Sequence, residues 1–197
     1  MKEVLGPDHG DVADVLRDIG NVYHLLEQSD KALETQQEAL RIHRLVHGDG
    51  SEDVAFALGN IGISFCELGR HAEARANHEE ALGIFRRLHG EKHPHVARAL
   101  SSIGRVLDKQ GEHDEALKLY RKALKIRRHV FGEDHQEVAD TLRIIGEAFF
   151  RQGKHGEAVE MFEEAVGIYA RALGADNDQN AAIHYNIALA NEKSGDV

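Results

Sequence analysis

Fourteen histidines, one cysteine and a surplus of carboxylates are the residues of this 197-residue chain best suited to chemistry. His89, His93 and His95 crowd one short stretch, the kind of grouping that holds zinc. Most histidines, however, recur at a fixed interval: His71, His113 and His155 form one series, and His9, His93 and His135 another. Residues that recur in register answer to the architecture, whereas a metal site needs ligands that converge. The strings HAEAR, HDEAL and HGEAV repeat in register too, and none has the paired-histidine spacing of HExxH. No metal and no cofactor are therefore expected. Cys66 lies between Phe65 and Glu67, which is not the electropositive setting that lowers a thiol pKa. No glycine-rich phosphate loop, no activated serine and no carboxylate pair stands apart from the repeating columns, so no enzymatic activity is expected.

Charge narrows the partners. Acidic residues number 34 against 24 basic ones, and a formal charge of -10 repels nucleic acid and anionic membranes. The basic run Lys118, Arg121, Lys122, Lys125, Arg127 and Arg128 follows Asp114 and Glu115, the order a helix dipole favours from its start to its end. No stretch approaches the roughly 20 apolar residues of a spanning helix, and MKEVLGPDHG lacks the apolar core of a secretory signal. A single cysteine forms no internal disulfide and fits a reducing compartment, so a cytoplasmic location is expected. Two prolines, no tryptophan and abundant Ala, Leu, Glu and Arg favour helix.

The elements that must position any site are set by a period of 42 residues. Glycines stand at Gly6, Gly48, Gly90, Gly132 and Gly174, and again at Gly20, Gly62, Gly104 and Gly146. Val12-Ala13 recurs as Val54-Ala55, Val96-Ala97 and Val138-Ala139, and Ala32 as Ala74, Ala116 and Ala158. Within a unit, Val96, Leu100, Ile103 and Leu107 share one helical face. Gly69, Gly111 and Gly153 then supply the left-handed residue that ends a helix, with Glu27 in their place in the first unit. A second helix follows, so each unit is an antiparallel helix pair.

The spacing predicts nine helices, over 11–26, 30–46, 53–68, 72–88, 95–110, 114–130, 137–152, 156–172 and 179–194. They belong to one array with repeats at 7–48, 49–90, 91–132 and 133–174 and a half repeat or capping helix at 175–197. Residues 2–6, KEVLG, match the repeat tails RRLHG, RHVFG and ARALG, and the chain closes at Ser194-Gly195, an intra-repeat turn. A piece of a longer array, or a design copying one, is expected, with the last helix as a lid that leaves some apolar face uncovered.

At these residues the sequence resembles tetratricopeptide repeats. The family's landmarks appear as Ile19-Gly20, Tyr23, Ala32 and Ala39, and as Ile145-Gly146, Phe149, Ala158, Phe162 and Ala165. The unit is eight residues longer than the common 34-residue form, and the linker HGEKHPHVA at 89–97 is similar to that of kinesin light chain repeats. The resemblance implies an all-α, right-handed superhelical solenoid whose first helices line a concave groove. With Glu27 for glycine and Gln36 for an aromatic, the first unit is expected to be looser.

Carried over residue by residue, the inward positions place Arg17, Asn21, Phe56, Asn60, Ile63, Arg98, Ser102, Arg105, Arg143, Ile144 and Asn186 in a peptide-binding groove. The same columns hold Asp14, Asp18, His24, Cys66, Ser101, Asp108, Asp140, Glu147, Phe150, Tyr185 and Leu189. Phe56, Ile63 and Ile144 are apolar where exposure selects polar residues, and Arg98, Arg105 and Arg143 flank them. Such a groove suits a protein or peptide ligand with an aromatic or apolar anchor beside acid. That is how kinesin light chains, which the sequence resembles, take cargo peptides. The expected function is a non-enzymatic interaction module. Its alternative is a spacer or sensor array in a larger regulatory protein, or a designed scaffold, self-associating through its ends.

Overall fold

A computed structural model describes residues 6–174 and 178–194 of the chain. Among the described residues there are nine α-helices and no strand. The chain divides into two compact units, Met1–Glu91 and Lys92–Val197. The first holds α1 (Gly10–Leu25), α2 (Ser29–His47), α3 (Glu52–Glu67) and α4 (His71–His89). The second holds α5 (Pro94–Lys109), α6 (His113–Phe131), α7 (Gln136–Arg151), α8 (His155–Leu173) and α9 (Asp178–Ser194). Each helix lies within a residue or so of its expected span, and Pro94 takes the first helical position of α5, where its missing N–H costs nothing. Residues 2–5 of the tail-like opening and Gly195 of the closing turn lie outside the described residues.

In each of the four helix pairs a first helix of 16 residues is followed by a second of 19. The first helices start on capped residues. The hydroxyl of Ser51 accepts from the Val54 N–H at 3.3 Å, and the imidazole Nδ1 atoms of His9, His93 and His135 accept from the N–H two residues on. One recurrent histidine column is therefore a column of helix caps. The turn inside each pair needs a left-handed residue: Gly69, Gly111 and Gly153 have φ of 72°, 83° and 74°. Glu27 meets the same demand at 57°, the one non-glycine with positive φ among the described residues.

Second helices press small residues against first helices. Ala32, Ala74, Ala116 and Ala158 are fully buried, as are Ala123 and Ala165, while Ala39 and Ala81 are nearly so. Opposite each first-helix glycine lies one larger side chain: Gln36 over Gly20, His78 over Gly62, Tyr120 over Gly104 and Phe162 over Gly146. An added Cβ would meet these groups at 2.9, 2.6, 2.7 and 2.6 Å, so glycine is what lets the two helices approach. In the first unit α2 packs on α1 and α3, and α3 on α4. In the second, α6 packs on α5 and α7, and α8 on α7 and α9.

α1 exposes more apolar surface than its counterparts. Val15, Ile19 and Val22 are 57%, 41% and 53% exposed, and Leu25 and Leu26 lie in solvent beside them. The same positions in α3 (Ala57, Ile61, Ser64) and in α7 (Thr141, Ile145, Ala148) are buried. On α9, which was expected to leave apolar surface uncovered, Ile183 and Ala190 are buried and Tyr185 is 70% exposed.

Candidate functional site

The first helices of the second unit carry the most developed cleft. Arg105, Asp108 and Lys109 of α5, Tyr120 of α6, and Arg143, Ile144, Glu147 and Arg151 of α7 line a hollow of about 340 Å³. It adjoins a second hollow of about 230 Å³ lined by Glu147, Phe150 and Arg151 of α7, Phe162 of α8, and Asn186 and Leu189 of α9. Glu147 and Arg151 border both. The spacing explains the wall: Arg143, Glu147 and Arg151 fall four residues apart on α7, as do Arg105 and Lys109 on α5, which stacks each set on one helical face.

Four cations thus meet two carboxylates, a local positive excess in an acidic chain. Two of the cations are already held. Arg143 pairs with Glu147, and Arg151 pairs with Asp108. Burial lowers the Arg143 pKa, but Glu147 and Tyr169 more than offset it, so the guanidinium stays charged. Asp108 is buried, and it also bonds His113 Nδ1 at 2.6 Å, tying α5 to the starts of α6 and the end of α7. Arg105 and Lys109, which line the same hollow, have no ion pair among the described residues. Beneath them Tyr120 is 1% exposed, and its hydroxyl has no hydrogen-bond partner. Burial first, then the Asp108 charge, pushes the Tyr120 pKa up, so the phenol keeps its proton and can donate.

Of the residues expected to line a groove, the structure gathers Arg105, Arg143 and Ile144 on one hollow and Asn186 on the other, with Asp108, Glu147, Phe150 and Leu189 from the same columns. Arg98 is exposed on α5 outside both. Ser102 departs from the expectation: it is 7% exposed, because its small side chain sits beneath its neighbours and not on the surface. Lys109, Arg151 and Tyr120 are additions. Lys109 and Arg151 each follow directly after a column position, Asp108 and Phe150, and long side chains reach back over the hollow.

In the first unit the expected residues are more dispersed. Arg17 is tied to Asp14 at 2.7 Å and to Asp18 at 3.3 Å. Asn21 is exposed, and Asn60 and Ile63 are half-buried. Phe56 packs edge-on against Phe85 with ring centroids 5.2 Å apart, so part of the expected anchor serves the unit's own packing. Cys66 is a buried free thiol. At the α2–α3 junction, His43 is 3% exposed, and burial pushes its imidazole pKa down against the nearby Asp53 and Asp14 carboxylates.

Within the basic run that follows the order a helix dipole favours, Arg127 is a buried member. It is 8% exposed. Its Nη1 donates to Ser101 Oγ at 3.0 Å and Thr141 Oγ1 at 2.8 Å, and its Nε lies 3.0 Å from Glu137 Oε2. Burial pushes its pKa down, and the Glu137 and Asp140 carboxylates oppose that shift. Arg127 therefore bolts α6 to α5 and α7 behind the cleft.

The tetratricopeptide repeat family model matches residues 1–45, 53–129, 103–171 and 137–197. Among solved structures, BtubC (BKLC) from P. vanneervenii aligns at a TM-score of 0.81 and 18% identity, covering 95% of this chain and 74% of its own. A Podosopora anserina protein of kinesin light chain type, with nearly identical TPR-like repeats, aligns at 0.78 and 19%, covering 95% and 89%. Aspartyl phosphate phosphatase F from Bacillus subtilis aligns at 0.79 and 15%, covering 95% of this chain and 46% of its own. Compared with curated proteins by sequence, the chain matches none. At these identities the structural likeness is one of fold, while the family model carries the assignment over nearly the whole sequence. No helix among the described residues is long and apolar enough to cross a membrane. Proteins built from such repeats typically bind other proteins and are generally non-enzymatic. With its 42-residue helix pairs, its left-handed turn residues and a large side chain over each first-helix glycine, the chain belongs to the tetratricopeptide repeat family.

Proposed function

We propose that this chain is a non-enzymatic, cytoplasmic adaptor module that captures a short protein segment bearing acid beside an aromatic or apolar anchor. One observation carries the reading: the second unit's cleft sets two unpaired cations, Arg105 and Lys109, over the buried, unpartnered hydroxyl of Tyr120. A ligand carboxylate entering there gains two charge-assisted contacts and a phenolic donor, and it leaves no orphan behind. Ile144, Phe150 and Leu189 supply apolar surface along the same wall for the anchor. Kinesin light chain-type repeats are among the matched folds, which favours cargo-peptide recognition of this kind. Arg17, Asn21, Phe56, Asn60 and Ile63 are the corresponding first-helix positions of Met1–Glu91, and Arg143 and Asn186 complete the set in the second unit.

The test is fluorescence anisotropy against a library of labelled peptides combining acidic and aromatic residues. The Arg105→Glu/Lys109→Glu double variant should lose about tenfold or more in affinity for the best acidic peptide. Wild-type binding should weaken with salt, since exposed charge pairs are screened over roughly 10 Å at 0.1 M. Equal affinity of wild type and double variant would remove the cleft from the reading.

The face of α1 favours a second reading, association through an exposed helix. Val15, Asp18, Ile19, Val22 and Tyr23 line an apolar furrow of about 390 Å³. The equivalent surfaces of α3 and α7 are buried, and there α3 packs on α2 and α7 on α6. Sedimentation velocity over a concentration range should then show self-association that Val15→Asp/Val22→Asp abolishes; a concentration-independent monomer rejects this alternative.

A further inference from the structure

At the junction of α2 and α3, three side chains with metal-binding atoms meet for reasons the helix pairing does not require. His43 and His47 stand four residues apart on the last turns of α2, so their imidazoles share a face, with ring centroids 5.9 Å apart. α2 ends at His47, Gly48 turns the chain with φ 79°, and α3 begins at Glu52, which brings Asp53 of its first turn back alongside. Asp53 Oδ2 lies 3.7 Å from His47 Nε2. One ligand atom from each of the three residues falls within 4.8 Å of the others, the only such trio among the described residues. His43 is 3% exposed, and its Nδ1 has no hydrogen-bond partner, an arrangement that costs free energy unless something completes it.

The repeat itself serves as a control. Positions equivalent to His43 hold Phe85, Arg127 and Tyr169, and those equivalent to Asp53 hold His95, Glu137 and Gln179. Core packing at this column is thus met by unrelated side chains, and the imidazole is not what the fold demands. The series His9, His93 and His135 caps helices and His71, His113 and His155 begins them, while His47 has a counterpart one repeat on in His89; His43 belongs to no such series.

We infer that His43, His47 and Asp53 form a binding site for a divalent transition metal of the zinc class, with one coordination position left for water or an incoming donor. Two imidazole nitrogens and one carboxylate oxygen suit zinc, nickel or copper(II) better than calcium or magnesium, which prefer all-oxygen shells. Tetrahedral zinc places its ligand atoms roughly 3.3 Å apart at Zn–N distances of about 2.0 Å. His47 and Asp53 have 41% and 46% of their side chains exposed and can rotate to close the remaining gap onto the fixed His43.

The experiment is a titration of the full chain with Zn²⁺, followed by imidazole NMR resonances and by calorimetry, with Co²⁺ absorption reporting the donor set. The variants are His47→Ala and Asp53→Asn, both at exposed positions, and His43→Phe, which installs the residue found at Phe85. Wild type should take up one equivalent with stoichiometric shifts of the His43 and His47 resonances, and each variant should bind at least tenfold more weakly. A titration that leaves those two resonances unmoved, or equal affinity in wild type and His47→Ala, overturns the assignment. Other histidines of the chain would then account for any zinc bound.

Discussion

Phe162→Ala should cost the second unit about 3–5 kcal/mol, measured as the loss in unfolding free energy in urea. Phe162 is 1% exposed, and its ring occupies the space a Cβ at Gly146 on α7 would need. Truncation leaves a cavity between two helices whose separation the ring sets. The partner substitution gives a sharper result. In wild type, Gly146→Ala would drive a Cβ to 2.6 Å from Phe162 Cε1 and 2.7 Å from Cδ1. Moving the buried ring off the glycine forces a shift of packed neighbours, so overpacking of about 1–3 kcal/mol should outweigh the roughly 1 kcal/mol that alanine gains over glycine in a helix. Once Phe162→Ala has removed the ring, the same methyl enters empty space and only the helical gain remains. Gly146→Ala should therefore change sign, destabilising wild type and stabilising the Phe162→Ala background by about 1 kcal/mol. An equal destabilisation in both backgrounds would mean that this glycine is not there for the ring.

The same contact explains why so much of the fold was legible. A glycine that must face a large side chain, and an alanine that must face a helix backbone, recur wherever the helix pair recurs. The 42-residue interval of Gly20, Gly62, Gly104 and Gly146 is thus a direct imprint of packing. Turn residues were legible for the same reason, including Glu27, which takes the left-handed conformation its column demands despite its Cβ. Histidine columns were recognisable as repetitive, but their work as helix caps was not, because imidazole is an uncommon acceptor for a helix start. The residues lining the cleft were only partly legible. A column position says which way a Cα–Cβ bond points, but not whether a neighbour covers it, as with Ser102, or claims its charge, as with Arg143 and Glu147. Lys109 and Arg151 show the converse, entering the cleft by side-chain length from positions just beside the columns. The grouping of His43, His47 and Asp53 was not legible, because helical spacing joins only the two histidines and the carboxylate comes from the next helix.

Behind the cleft, the buried cation gives the second large effect, and its sign depends on which partner is removed. Glu137→Ala should cost about 1–3 kcal/mol, because it leaves the Arg127 guanidinium, whose side chain is only 10% exposed, with the neutral Ser101 and Thr141 hydroxyls as its bonded partners. The figure sits below the 3–5 kcal/mol typical of a fully buried pair because the Glu137 side chain is 46% exposed and its attraction is partly screened. Arg127→Met should be close to neutral: it removes the desolvated charge, keeps most of the volume among α5, α6 and α7, and frees Glu137 to face water. In the Arg127→Met background, Glu137→Ala should then cost only the about 0.3–1 kcal/mol that an acid contributes to the first turn of α7. The difference between the two Glu137→Ala costs, read from urea unfolding of the four proteins, is the coupling of the pair. If Glu137→Ala costs the same with and without Arg127, the guanidinium is solvated in practice, and the three helices are held by their alanine and aromatic contacts alone.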